Sequence, residues 1–173
     1  MKIALVGDVH GEVRLLYDSI DSLERVIGDT ITDVFQVGDF HTIRDEIDLR
    51  HFPAPEQYKK LGDFPHFMNE GRIPRPTRII GGNHDNNRWY SQIPQGGNLL
   101  SGLEYLGRSG VVELNGLKIG WISGTYSPKP FNGQEGKYHH LTQEDIEKLK
   151  EHGSDLDILL VHDWPSVSSL EPF

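Results

Sequence analysis

The sequence predicts an α/β domain of two sheets packed face to face with helices outside. Three observations lead there. Apolar, strand-like runs at residues 2–6 and 33–37 flank a segment of helical periodicity, which makes a βαβ unit. An Asn115-Gly116 pair separates two further apolar runs, a hairpin signal that switches the topology from alternating helices and strands to paired strands. Polar residues cluster where strands should end: Asp8 and His10, Asp39, the run Asn83-His84-Asp85, and His162-Asp163.

Taken in order, residues 2–6 form the first strand and 12–27 an amphipathic helix with Leu16, Ile20, Leu23 and Ile27 on one face. Gly28 is placed to cap it. The second strand, 33–37, runs into Gly38-Asp39. Residues 40–55 read as a loop or short irregular helix, and 56–69 as a second helix that Pro65 kinks or ends. Pro74 and Pro76 impose an extended approach to a third strand ending in Ile80. Gly81 and Gly82 then free the backbone to turn sharply and splay Asn83, His84 and Asp85 about one point. A short helix over 86–92 and a turn at 95–98 precede the hairpin. Residues 123–136, rich in Gly and Pro, read as loop. Thr142 is an N-cap, with Asp145 completing a weak capping box, Ile146 and Leu149 facing inward, and Gly153 closing the helix. The last strand, 156–161, delivers His162. With no repeat or linker, residues 1–173 are expected to form a single domain.

Composition narrows the chemistry. Cysteine is absent, so disulfides and thiolate metal sites are excluded and any metal takes oxygen and imidazole ligands. Net charge is −9, from 26 acidic and 17 basic residues, which argues against a broad grip on nucleic-acid backbones. Phosphate recognition would have to be local to bound cations. No apolar run approaches the roughly 20 residues of a membrane span, and the first residues pass straight into a strand rather than a signal peptide. An intracellular protein, cytoplasmic or nuclear, with no membrane partner is expected.

In α/β sheets, ligands bind at the carboxyl ends of strands, where this chain collects its donors. Asp8 and His10, one residue apart, would share a face if the backbone stayed extended. Asp39 has two oxygens and can bridge two cations, while Asn83 and His162 suit the second. Mixed oxygen and imidazole ligands favour Mn²⁺, Fe²⁺ or Zn²⁺, and a pair of ions suits in-line phosphoryl displacement. His84 is placed to protonate a leaving oxygen. Asp85 either orients His84 or turns the chain. His139-His140 is a further pair of imidazoles, read first as a lead-in to the helix at Thr142. Arg44 and Arg88 are candidate phosphate contacts, and Trp89, Tyr90 and Trp164 candidate stacking platforms.

The runs Gly7-Asp8-Val9-His10-Gly11, Gly38-Asp39, Gly82-Asn83-His84-Asp85 and His162 resemble the calcineurin-like metallophosphoesterases over nearly the whole chain. Gly38-Asp39-Phe40 with Arg44, Ile80-Gly81-Gly82-Asn83-His84, Tyr105-Leu106-Gly107, Ile122-Ser123-Gly124 and His162-Asp163-Trp164-Pro165 look like the RNA lariat debranching enzymes. The resemblance implies an αββα sandwich and a dinuclear centre. Asp8, His10 and Asp39 would serve one metal, Asp39, Asn83 and His162 the other, with His84 as general acid. The implied reaction is hydrolysis of a phosphodiester, the 2′,5′ linkage of branched RNA.

Two features depart from the family pattern. Debranching enzymes typically have Cys where this chain has Asp8. The family's Gly-His-x-His-like segment downstream of His162 has no counterpart in the 11 residues that follow. The site is therefore C-terminally short, completed by water, another residue or another chain, or the chain itself is cut short. Two rival functions stay open: a phosphomonoesterase or nucleotide hydrolase with the same core, and a non-catalytic scaffold.

Overall fold

A computed structural model describes residues 2–52, 54–127, 138–152 and 155–164. Strands β1 (Ile3–Val6), β2 (Asp33–Val37), β3 (Arg72–Ile80) and β4 (Gly97–Tyr105) form one parallel sheet in the order β1-β2-β3-β4. Strands β5 (Ser109–Leu114), β6 (Leu117–Ile122) and β7 (Ile158–Val161) form a second, with β5 antiparallel and β7 parallel to β6. Five helices accompany them: α1 (Val13–Ile27), α2 (Glu46–His51), α3 (Phe64–Glu70), α4 (Asn87–Tyr90) and α5 (Gln143–Glu151).

Alternation along the central strands divides the core into two layers. Val34 and Ile79 face one way, into a cluster with Val13, Leu16, Tyr17 and Ile20 of α1 and Phe64 and Phe67 of α3. Phe35 and Ile80 face the other way, onto Ile119, Trp121 and Leu160 of the second sheet. The two sheets therefore pack face to face, and α5 lies over β5 and β6. This is the expected αββα order. The buried stripe of α1 is set by Val13, Leu16, Tyr17 and Ile20, whereas Leu23 and Ile27, expected on the same face, are 47% and 41% exposed. Gly28, at φ 65°, caps the helix by donating to the Glu24 carbonyl at 2.9 Å.

The hairpin forms as its turn residues require. Asn115 (φ 52°) and Gly116 (φ 83°) both lie in the left-handed region, and Leu114 pairs with Leu117. Thr142 and Asp145 make a complete capping box at α5. Gly153 lies outside the described residues, as do residues 128–136 of the expected loop.

Other expectations are corrected. The helix expected over 56–69 is two pieces, a 3-10 turn at Glu56–Tyr58 and then α3. Pro65 stands in the first turn of α3, where its missing N–H costs nothing, so it starts a helix rather than interrupting one. Strand β4 was not foreseen. It lies parallel to β3, with a register irregularity between Arg72 and Thr77, beside the prolines that cannot donate to a ladder.

A buried cation bolts α5 to the second sheet. Arg108, 9% exposed, donates from Nε and Nη2 to the Asp145 carboxylate and from Nη1 and Nη2 to the carbonyls of Tyr138 and His140. Removing one partner of such a pair strands a buried charge, at roughly 3–5 kcal/mol. Arg108→Ala is therefore expected to lower the unfolding free energy by about that much in urea titration. Arg108→Lys should recover little, because an ammonium cannot reproduce the fork. A loss under ~1 kcal/mol in Arg108→Ala would contradict this bracing role.

Candidate metal centre

Three loops that follow parallel strands meet at one edge of the first sheet. The loop after β1 runs beside the loop after β2: Asp8 N–H donates to the Gly38 carbonyl at 3.2 Å, His10 N–H to Asp39 at 2.9 Å, and Gly11 N–H to Phe40 at 3.2 Å. Asp8 (φ 53°), His10 (φ 47°), Asp39 (φ 60°) and His41 (φ 69°) all take left-handed backbone. The extended geometry expected for Asp8 and His10 is thus replaced by a pair of tight left-handed turns. Each such residue costs on the order of 1–3 kcal/mol, and such strain concentrates at functional sites.

Asp85 supplies the restraint. Its carboxylate is 1% exposed. Oδ2 accepts from the backbone N–H groups of Asp39 (3.0 Å) and Gly82 (2.8 Å), and Oδ1 from that of His41 (2.7 Å). One side chain thus ties the loop after β3 to the loop after β2. Burial, and next the charge of Asp39, push its pKa up to about 6, against those three donors. Asp85 therefore neither simply turns the chain nor orients the imidazole of His84; its job is to join loops.

The expected role of the glycines is also revised. Neither Gly81 nor Gly82 has positive φ. Gly82 is needed because a Cβ there would lie 2.1 Å from Asp39 Oδ1, and Gly38, at φ 95°, because a Cβ would lie 2.3 Å from His162 Nδ1. Both glycines make room for donors that must approach closely.

Asp8, Asp39 and His162 offer ligand atoms that all lie within 4.8 Å of one another. His10 Nε2 is 3.6 Å from Asp8 Oδ1 and 3.9 Å from Asp39 Oδ2. On the other side, His162 Nε2 faces Asp39 Oδ1 at 3.4 Å and Asn83 Oδ1 at 3.1 Å. The His162 Nδ1–H donates to the Val37 carbonyl at 2.8 Å, a bond that in the neutral ring turns the Nε2 lone pair toward Asp39 and Asn83. With that tautomer, lone pairs from His162, Asp39 and Asn83 confront one another. That arrangement is repulsive unless positive charge lies among them, and carboxylate, amide oxygen and imidazole together suit intermediate divalent cations. The residues present fit a metal.

His84 sits at the rim, half-buried. Its N–H donates to Asp39 Oδ1 at 2.7 Å, and its ring lies edge-on to His10, with centroids 5.6 Å apart. His139 approaches from the second sheet. Its carbonyl accepts from Thr125 N–H at 2.7 Å, and its Nδ1 is buried with no hydrogen-bond partner among the described residues. Burial first, then the neighbouring His140 and His84, lower its pKa to about 4, so the ring is neutral at pH 7. His140 turns to Thr125 Oγ1 at 3.3 Å.

Other candidates are placed differently. Arg44 forks onto Asp48 at 2.6 and 2.9 Å and stacks on Trp89 at 4.6 Å, so its guanidinium braces α2 against α4. Arg88 is exposed, with Nη1 3.3 Å from His51 Nδ1. Tyr90 is fully buried and stacked on Tyr105 at 4.1 Å, unavailable to a ligand. Trp164 is 91% exposed.

Comparison with known proteins agrees with this geometry. The family model of the calcineurin-like phosphoesterases matches residues 1–171. The chain belongs to that family, and its fold and candidate metal centre are of that class. Among curated proteins, it is 33% identical to the lariat debranching enzyme of Drosophila melanogaster, over 96% of this chain and 33% of that protein. The human lariat debranching enzyme is 32% identical over 95% of this chain and 32% of its own length. That of Saccharomyces cerevisiae is 32% identical over 96% and 44%. The chain thus spans about a third to under a half of these relatives.

Asp85→Ala would leave three buried N–H groups without acceptors, each worth about 1–3 kcal/mol. A stability loss of at least ~3 kcal/mol in denaturant titration is expected, with weakened Mn²⁺ uptake by calorimetry. A folded variant of wild-type stability that binds Mn²⁺ as tightly would contradict the tying role.

Proposed function

We propose that the chain is a metal-dependent phosphodiesterase domain acting on RNA, with the 2′,5′ linkage of a branched RNA as its specific substrate. Residues 1–173 act as one domain. Asp8, His10 and Asp39 hold one divalent cation, and Asp39, Asn83 and His162 hold another, of the Mn²⁺, Fe²⁺ or Zn²⁺ type. Bound there, such ions supply positive charge for the developing charge on the phosphate and make water a competent nucleophile near neutral pH.

The protein's own contribution is positional. The Val37 carbonyl fixes the tautomer of His162 by taking its Nδ1–H. Asp39, 2% exposed, is held by its neighbours in a conformation it would not choose alone. His84 is anchored through its backbone to Asp39 Oδ1 while its imidazole remains at the rim, where it carries the proton for the leaving oxygen.

The single observation that carries this reading is the meeting of the Asp8, Asp39 and His162 ligand atoms within 4.8 Å, beside an imidazole that binds none of them. The debranching substrate is suggested by the relatives' names. Among the described residues, no helix is long and apolar enough to cross a membrane.

The test is a Mn²⁺-supplemented assay with bis-p-nitrophenyl phosphate, p-nitrophenyl phosphate and a 2′,5′-branched RNA. Turnover of both diesters is expected, with kcat reduced about 10²- to 10⁴-fold in His84→Ala and Mn²⁺ uptake retained. Cleavage of the monoester alone would replace this reading with a phosphomonoesterase, which Asp8 in place of Cys would suit. No turnover by folded, metal-loaded protein would leave a scaffold.

A further inference from the structure

A cavity of about 520 Å³ opens directly off the candidate centre. It is lined by His10 and His84 of that centre, by Glu12 and Lys60, and by Phe52, Pro55 and Tyr58. This volume lies in the range of small-molecule sites, roughly 300–1,000 Å³. Phe52 is 5% exposed. Its ring stands edge-on to His41 at 4.7 Å and 5.8 Å from His84, so the aromatic floor continues to the proposed general acid. His41 is fixed by donating its Nε2–H to the Lys60 carbonyl at 2.8 Å, and burial lowers its pKa.

Tyr58 is the unusual wall. It ends the 3-10 turn, its N–H donating to the Pro55 carbonyl at 2.8 Å, and its side chain is 64% exposed. A single exposed tyrosine is ordinary. An exposed tyrosine that lines a cavity together with a buried phenylalanine and imidazoles is placed to cover a flat ligand.

We propose that this cavity is a nucleobase subsite, taking the base of one of the two nucleosides joined at the scissile phosphate, with Tyr58 as the stacking face. This rests on the phosphodiesterase reading above and extends it. The net charge of −9 makes a general electrostatic hold on a polyanion unfavourable. Affinity for a nucleotide must then come from cations at the phosphate and from apolar contact with the base. Stacking on aromatic side chains provides the latter, whichever base is present. The aromatic and hydrocarbon surface of Phe52, Pro55 and Tyr58 suits a base face, and Glu12 beside Lys60 offsets the one lysine charge in the lining.

The test is binding of adenosine 5′-monophosphate and ribose 5-phosphate to the Mn²⁺-loaded protein by calorimetry, which needs no turnover. The wild type should bind the nucleotide about tenfold more tightly than the sugar phosphate, and Tyr58→Ala should abolish most of that preference while Tyr58→Trp keeps it. Circular dichroism checks that each variant is folded. Equal affinity for the two ligands in the wild type, failure to bind either, or an unchanged preference in Tyr58→Ala would overturn the subsite. Any of these results can occur alongside p-nitrophenyl diester turnover, in which case the subsite falls and the hydrolase reading stands.

Discussion

The site depends on one buried carboxylate. Asp85 accepts from backbone N–H groups of Gly82, Asp39 and His41, and so locks the loop after β3 to the loop after β2. The loop after β2 is in turn laced to the loop after β1 through Asp8, His10 and Gly11. Without that carboxylate, three amides would be buried unpaired, and left-handed Asp39 and His41 would lose two of the bonds that oppose their strain. The ligand geometry is thus a property of backbone bonding more than of the ligand side chains.

The parallel sheet explains why residues so distant in sequence can share one place. Every right-handed crossover returns the chain to the same edge of the sheet, so β1, β2 and β3 each release their loop there. The second sheet adds His162 by running β7 parallel to β6, and Gly38 leaves the room its imidazole occupies. Arg108 performs the matching task on the far side, holding the carbonyls of Tyr138 and His140 and so presenting His139. Crowding is relieved by glycine where ligands approach, and packing is tightened by buried ion pairs where they are supported.

Much of this was legible in the sequence. Periodicity marked α1, β2 and β7, and Asn115-Gly116 marked the hairpin, because in each the local preference and the tertiary demand agree. The metal-ligand candidates were visible because polar residues at strand ends contradict local burial. What escaped needed the third dimension. In β4, glycines at 97 and 102 interrupt the apolar pattern, and pairing with the edge of β3 decides the strand. Pro65 could be read as an interruption or a start, and packing of Phe64 and Phe67 decided it. Asp85 looked like a turn residue since its partners, other than Gly82, lie 44 and 46 positions away. Arg44 looked available to phosphate until Asp48 and Trp89 claimed it.

The most direct test of the central claim is anomalous diffraction from crystals grown with Mn²⁺, recorded on both sides of the manganese absorption edge. The account predicts two anomalous peaks flanking Asp39, one bounded by Asp8 and His10 and the other by Asn83 and His162, with ligand atoms closing to roughly 2.0–2.2 Å of each. Ordered Mn²⁺ found only elsewhere, or no anomalous density at saturating Mn²⁺ in a crystal whose loops match those described, would contradict it.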